Sequence, residues 1–134
     1  MNYKHPYLSD EACIYRLVDE YKQHKSLVVA YDFDNCIYDY HNKGHNYAEV
    51  IELLRDAKSI GCHMIVFTAE ENRPKVEGFL VDNKIPFDAI NENPPFFKSG
   101  SRKIYFNILL DDRAGLKSAF HQLKEVINII KNQI

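Results

Sequence analysis

The chain has 134 residues, 46% of them apolar, the length of one ordinary domain (1–134) with enough apolar mass to bury a core unaided by disulfides. A charged fraction of 27% and a net charge of -2 give no electrostatic basis for binding duplex nucleic acid. No stretch approaches the roughly 20 apolar residues of a membrane span. Cys13, Cys36 and Cys62 are odd in number, widely spaced and without CxxC pairing. That pattern fits reduced thiols, and with no apolar leader region in residues 1–10 the expected location is the cytoplasm, with no membrane contact.

Ser9 or Asp10 can cap a first helix running to about Gln23, with Ala12, Tyr15, Leu17 or Val18, and Tyr21 near one face. Residues 27–31, Leu-Val-Val-Ala-Tyr, form an unbroken apolar run ending at Asp32, as in a strand buried on both faces of a parallel sheet. After a polar loop over 39–46, Asn46 and Glu49 resemble a capping box for a helix carrying Val50, Leu53, Leu54, Ala57 and Ile60, with Gly61 as its stop. Residues 62–67 read as a second strand ending at Thr68, and Pro74 opens a helix containing Val76, Phe79 and Leu80. Residues 85–90 and 105–110 read as third and fourth strands, joined by a helix-free loop over 91–103. A last helix spans about 116–132. The alternation predicts an α/β, Rossmann-like three-layer fold with a mostly parallel sheet of about four strands.

In a parallel sheet the C-terminal strand ends share one edge, where open α/β folds bind ligands. Here that edge receives Asp32 with Asp34, Thr68, the 90–91 step, and Asp111 with Asp112. Two unit charges about 4 Å apart at an effective dielectric near 20 repel by about 4 kcal/mol, so converging carboxylates call for a divalent cation. The donors are all oxygens, which points to magnesium rather than zinc.

Three segments carry a family resemblance: Val28-Val29-Ala30-Tyr31-Asp32-Phe33-Asp34-Asn35-Cys36, then Met64-Ile65-Val66-Phe67-Thr68, then Asn107-Ile108-Leu109-Leu110-Asp111-Asp112. In this order they resemble the first, second and fourth motifs of the haloacid dehalogenase (HAD) superfamily of phosphohydrolases. The small capless bacterial and phage members are nearer still, through Asn91-Glu92-Asn93-Pro94 followed by Asp111-Asp112-Arg113. Cys36 stands where Thr or Val is usual, and Glu70 where relatives often carry Arg.

The resemblance implies a magnesium-dependent phosphatase acting on a small phosphorylated metabolite, nucleotide or nucleic-acid end. Asp32 is then the nucleophile and Asp34 the general acid/base, with magnesium held by Asp32, Asp34 and one of Asp111 and Asp112. The Thr68 hydroxyl, with the amides of Asn35, Cys36 and Ala69, binds phosphate oxygens. Lys75, Lys98 and Lys103 compete to neutralise the phosphoryl group. A straight strand over 105–110, at about 3.3 Å per residue, sets Lys103 roughly 20 Å from Asp111, so Lys98 is the expected catalytic lysine. The short connections leave no room for a cap. The other classes are a HAD-type phosphotransferase, which usually carries a cap, and a noncatalytic phosphate- or partner-binding module, expected to lack Asp32 or Asp34.

Overall fold

The computed structural model describes residues 5–133. Ser9 accepts the Ala12 N–H at 3.1 Å and starts α1 (Asp10–His24), whose acidic first turn and basic last turn both complement the helix dipole. β1 (Val28–Asp32) follows, then α2 (Ala48–Ser59), β2 (His63–Phe67), α3 (Arg73–Asp82), β3 (Ala89–Ile90), β4 (Ile108–Leu110) and α4 (Leu116–Asn132). The strands are all parallel in the order β3-β2-β1-β4, so β1 is central and its unbroken apolar run is buried up to Asp32.

The pleat divides the sheet into two faces. Val29, Tyr31, Met64 and Val66 join Leu17, Leu54, Leu80 and Leu123 in the main core, so all four helices share that face. Each such fully buried side chain contributes about 1.5–3 kcal/mol. Val28, Ala30 and Ile65 point the other way, where Ile104, Tyr105 and Phe106 cover them. Topology explains the asymmetry. The steps β1 to β2 to β3 run in one direction with α2 and α3 on one side, and the return from β3 to β4 must cross the opposite side to stay right-handed. The third layer is therefore the irregular segment 91–107.

Both outer strands are shorter than their apolar runs predict. In the expected strand 85–90, Pro86 has no N–H to give a ladder, and the Asp88 carboxylate takes the Met64 N–H at 2.8 Å, so pairing starts at Ala89. In the expected strand 105–110, Tyr105 and Phe106 lie over the sheet. Asn107 supplies its carboxamide oxygen to the Val28 N–H at 2.6 Å, and regular pairing starts at Ile108. The expected capping box of α2 is also displaced: Asn46 accepts the Ala48 N–H at 2.8 Å, but the residue at the cap is Tyr47.

Candidate active site

The C-terminal strand edge gathers Asp32, Thr68, Asn91 and the 111–112 pair, as the topology requires. Asp34 reaches it through a tight turn. Phe33 donates its N–H to the Phe67 carbonyl at 3.0 Å, and its own carbonyl accepts the Ile37 and Tyr38 N–H groups at 3.2 and 3.1 Å. The Phe33 ring is buried, stacked on Tyr38 at 4.9 Å and edge-on to Phe79 of α3 at 5.5 Å. This anchor fixes the spacing between Asp32 and Asp34. Asn35 takes φ +62°, a conformation Asn tolerates, and gives its N–H to the Tyr38 carbonyl at 2.8 Å. Its amide is thus committed to the turn, which corrects its expected role as a phosphate donor.

Donor atoms of Asp32, Cys36 and Asp112 all lie within 4.8 Å of one another. Burial, a hydrogen bond to Asp112 and the charges of Asp111, Asp112 and Asp34 push the Asp32 carboxyl up to about 7. Burial also raises Asp34, as does Glu70, with Lys75 opposing. The Cys36 thiol, wholly buried and donating to the Leu110 carbonyl at 3.8 Å, is pushed up to about 12, first by burial and then by Asp32. Such a thiol is poorly suited to act as a nucleophile.

The aspartate pair divides its work. Asp111 accepts the Arg113 N–H at 2.8 Å on its carboxylate and the Ala114 N–H at 3.0 Å on its carbonyl, bracing the turn into α4. Asp112 faces Asp32. On the neighbouring strand end, Thr68 and Asn91 clamp each other: the Thr68 N–H donates to Asn91 Oδ1 at 3.0 Å and Asn91 Nδ2 donates to the Thr68 carbonyl at 2.8 Å. The Thr68 hydroxyl accepts the Glu70 N–H at 3.0 Å.

The three candidate lysines are placed differently from what a straight fourth strand predicts. Phe97 stacks on Tyr105 at 4.6 Å, and Phe96 lies 6.0 Å from the ring of His63, the first residue of β2. Both rings line a cavity of about 520 Å³ with His24 and Leu27, at the edge opposite Asp32. Lys98, next in the chain, is exposed and lines neither this cavity nor the one beside Asp32. Lys103 instead lines an open cavity of about 490 Å³ together with Asp32, Thr68, Ala69 and Arg102. The roughly 20 Å separation assumed one straight strand, whereas the chain turns at Asn107 and regular pairing begins only at Ile108. Lys75 acts on Asp34 and lies 4.0 Å from Glu70 and 5.2 Å from the centre of the Tyr38 ring. His41 and His45 are exposed on their loop and join no metal-binding group among the described residues.

The chain matches no protein family and no curated protein. A solved structure does resemble it: that of a conserved protein from Bacteroides thetaiotaomicron, 21% identical, with a TM-score of 0.60 over 81% of this chain and 93% of that one. The likeness is one of fold. The chain has an α/β, Rossmann-like three-layer fold without a cap. Among the described residues no helix is long and apolar enough to cross a membrane.

Proposed function

We propose that the chain is a magnesium-dependent phosphomonoester hydrolase of the HAD type its motifs resemble. The observation that carries this reading is the approach of Asp32 to Asp112 within 4.8 Å, beside Asp34, at the open edge of a parallel sheet. Cys36 is turned to the Leu110 carbonyl, and the remaining donors are carboxylate oxygens, which fit a hard cation such as magnesium. Asp32 and Asp112 would hold it, with Asp34 adjoining and Asp111 bracing the turn. When bound, magnesium supplies the positive charge that keeps Asp32 ionised and offsets the anionic substrate.

Asp32 attacks phosphorus, the bond to the leaving oxygen breaks, and Asp34 gives that oxygen its proton. Asp34 then takes a proton from a water whose oxygen adds to the aspartyl phosphate, which releases inorganic phosphate and restores Asp32. Burial and Glu70 raise the Asp34 carboxyl, which favours the protonated form that gives its proton to the leaving oxygen. Thr68 and Ala69 flank the phosphoryl position, and Lys103 replaces Lys98 as its neutralising cation. Three free cysteines fit a cytoplasmic setting.

The test is hydrolysis of a panel of phosphorylated metabolites, nucleotides and oligonucleotide ends with and without magnesium. Asp32→Asn should abolish turnover. Retention of more than about a hundredth of the parent rate removes Asp32 as nucleophile.

A further inference from the structure

The cavity beside Asp32, at about 490 Å³, is larger than a phosphoryl group needs and falls in the range of small-molecule sites. Asp32 and Thr68 form one side, the Phe67 and Phe106 rings another, and Arg102 and Lys103 the exposed rim. The two rings stand edge to face, 5.8 Å apart. They offer an apolar surface on which a planar ring can lie. A polyhydroxylated sugar needs convergent uncharged polar side chains, and the two that line the cavity, Thr68 and Asn91, already have partners. Thr68 and Asn91 are bonded to each other, and the Thr68 hydroxyl already accepts from Glu70.

The rim charges narrow the class further. Among the described residues neither Arg102 nor Lys103 has an ion-pair partner. One cation suffices for the phosphate under attack, which leaves the planar guanidinium of Arg102 for a second, suited to two-pronged contact with phosphate oxygens. Beyond Asp34, by contrast, Glu70 adds negative charge and lies 4.0 Å from Lys75. With the cation on that side already paired, a second anion is drawn to the Arg102 side instead. Resting on the phosphohydrolase reading, we propose that this cavity receives a nucleotide carrying two phosphate groups, one at Asp32 and one at Arg102, with the base against Phe67 and Phe106.

Binding is measured calorimetrically on Asp32→Asn, which prevents turnover, and without magnesium, so the comparison among probes does not depend on the metal. The probes are a nucleoside 3′,5′-bisphosphate, the matching monophosphates, ribose 5-phosphate, and a tetranucleotide with one phosphorylated end. The bisphosphate should bind at least about tenfold tighter than any monophosphate, and Arg102→Ala should erase that advantage. Phe106→Leu, which keeps the sheet covered, should weaken the nucleotides more than ribose 5-phosphate. The tetranucleotide and the free bisphosphate share the required groups; whichever binds tighter identifies the source, and either order supports the proposal. Equal affinity for mono- and bisphosphates overturns it, as does an equal loss for both in Arg102→Ala. Turnover by the parent chain separates the two readings. Bisphosphate preference without magnesium-dependent hydrolysis of any of these esters sinks the phosphatase and leaves the binding site standing; hydrolysis without the preference does the reverse.

Discussion

Replacing Asp32 by Asn should stabilise the metal-free protein. Its carboxyl titrates near 7 in the fold, against about 3.9 in the unfolded chain, because burial and three neighbouring aspartates disfavour its charge. A folded pKa raised in an acid means that folding is penalised wherever the unfolded chain would ionise. The penalty starts as pH rises past about 4, grows to about 7, and is complete above that. The full difference corresponds to a ceiling of about 4 kcal/mol at pH 8. Asp32 is only partly buried, and solvent screening brings the expected value to roughly 1–2 kcal/mol. Asparagine keeps the shape and can donate its amide to Asp112, so removal of the charge should appear as a gain. At roughly 3–5 °C per kcal/mol for this chain length, the melting temperature should rise by about 3–10 °C at pH 8 in chelator. At pH 5 the folded carboxyl is already protonated, and the gain should fall to about a third. Saturating magnesium should cancel it by stabilising the parent alone. The assay is thermal unfolding of both proteins at the two pH values. A variant no more stable than the parent at pH 8, or a gain equal at both pH values, refutes the account of carboxylate crowding.

Other substitutions probe the neighbouring groups. Asp34→Asn should lose about 100-fold or more on alkyl phosphates but much less phosphoenzyme formation on nitrophenyl phosphate, whose leaving group needs no proton; equal losses remove Asp34 as the acid. Magnesium at about 100 times its dissociation constant should stabilise the parent by about 2.7 kcal/mol, an effect absent in Asp112→Ala and kept in Asp111→Ala despite a weaker turn; the opposite pattern exchanges their roles. Lys103→Ala should lower the rate about 100-fold while Lys98→Ala stays within about threefold, and the reverse ranking would return the role to Lys98. Asp88, held below the usual carboxylate range by the Met64 N–H and Lys58 against the effect of its burial, contributes stability above about pH 4 that is lost as pH falls through its folded value. Asp88→Asn should therefore cost about 1–3 kcal/mol at pH 7 and progressively less toward pH 3, as chemical denaturation will read.

What the sequence disclosed follows from where local rules suffice. The run before Asp32 is apolar at every position because β1 is flanked by β2 and β4 and covered on both faces, so its type and its end are visible without partners. Gly61 at φ +90° and Ser9 at its cap are likewise decided within a few residues. The choice between Asp111 and Asp112 was not open to that reasoning, since it depends on which carboxylate the Arg113 N–H occupies. The approach of Lys103 to the cavity beside Asp32 was hidden for a related reason. The path of 91–107 has no period, and side chains borrowed as backbone partners set it: Asn93 Oδ1 takes the Tyr105 N–H at 2.7 Å, and Asn107 takes that of Val28. Such links join residues far apart in sequence and leave no repeating trace in it.

The same segment explains why chemistry and selectivity can separate in this fold. Asp32, Asp34 and Asp112 follow strand ends or a turn pinned by Phe33, and a change in any of them disturbs the core or the charge balance. Arg102, Lys103 and Phe106 lie on an irregular layer that packs on the sheet through Ile104 and the rings of Tyr105 and Phe106 and is tied to β1 by the Asn107 carboxamide. Substitution at the rim of such a layer costs little stability, because exposed positions there bury almost no apolar area. The edge carrying the carboxylates is therefore constrained by packing, while the exposed rim of the cavity beside it is freer to change. Asn93 is where the two meet. Its carboxamide fixes Tyr105, and through Tyr105 the register of Lys103 and Phe106 over the sheet, so loss of that one hydrogen bond should loosen substrate preference before it affects the attacking carboxylate.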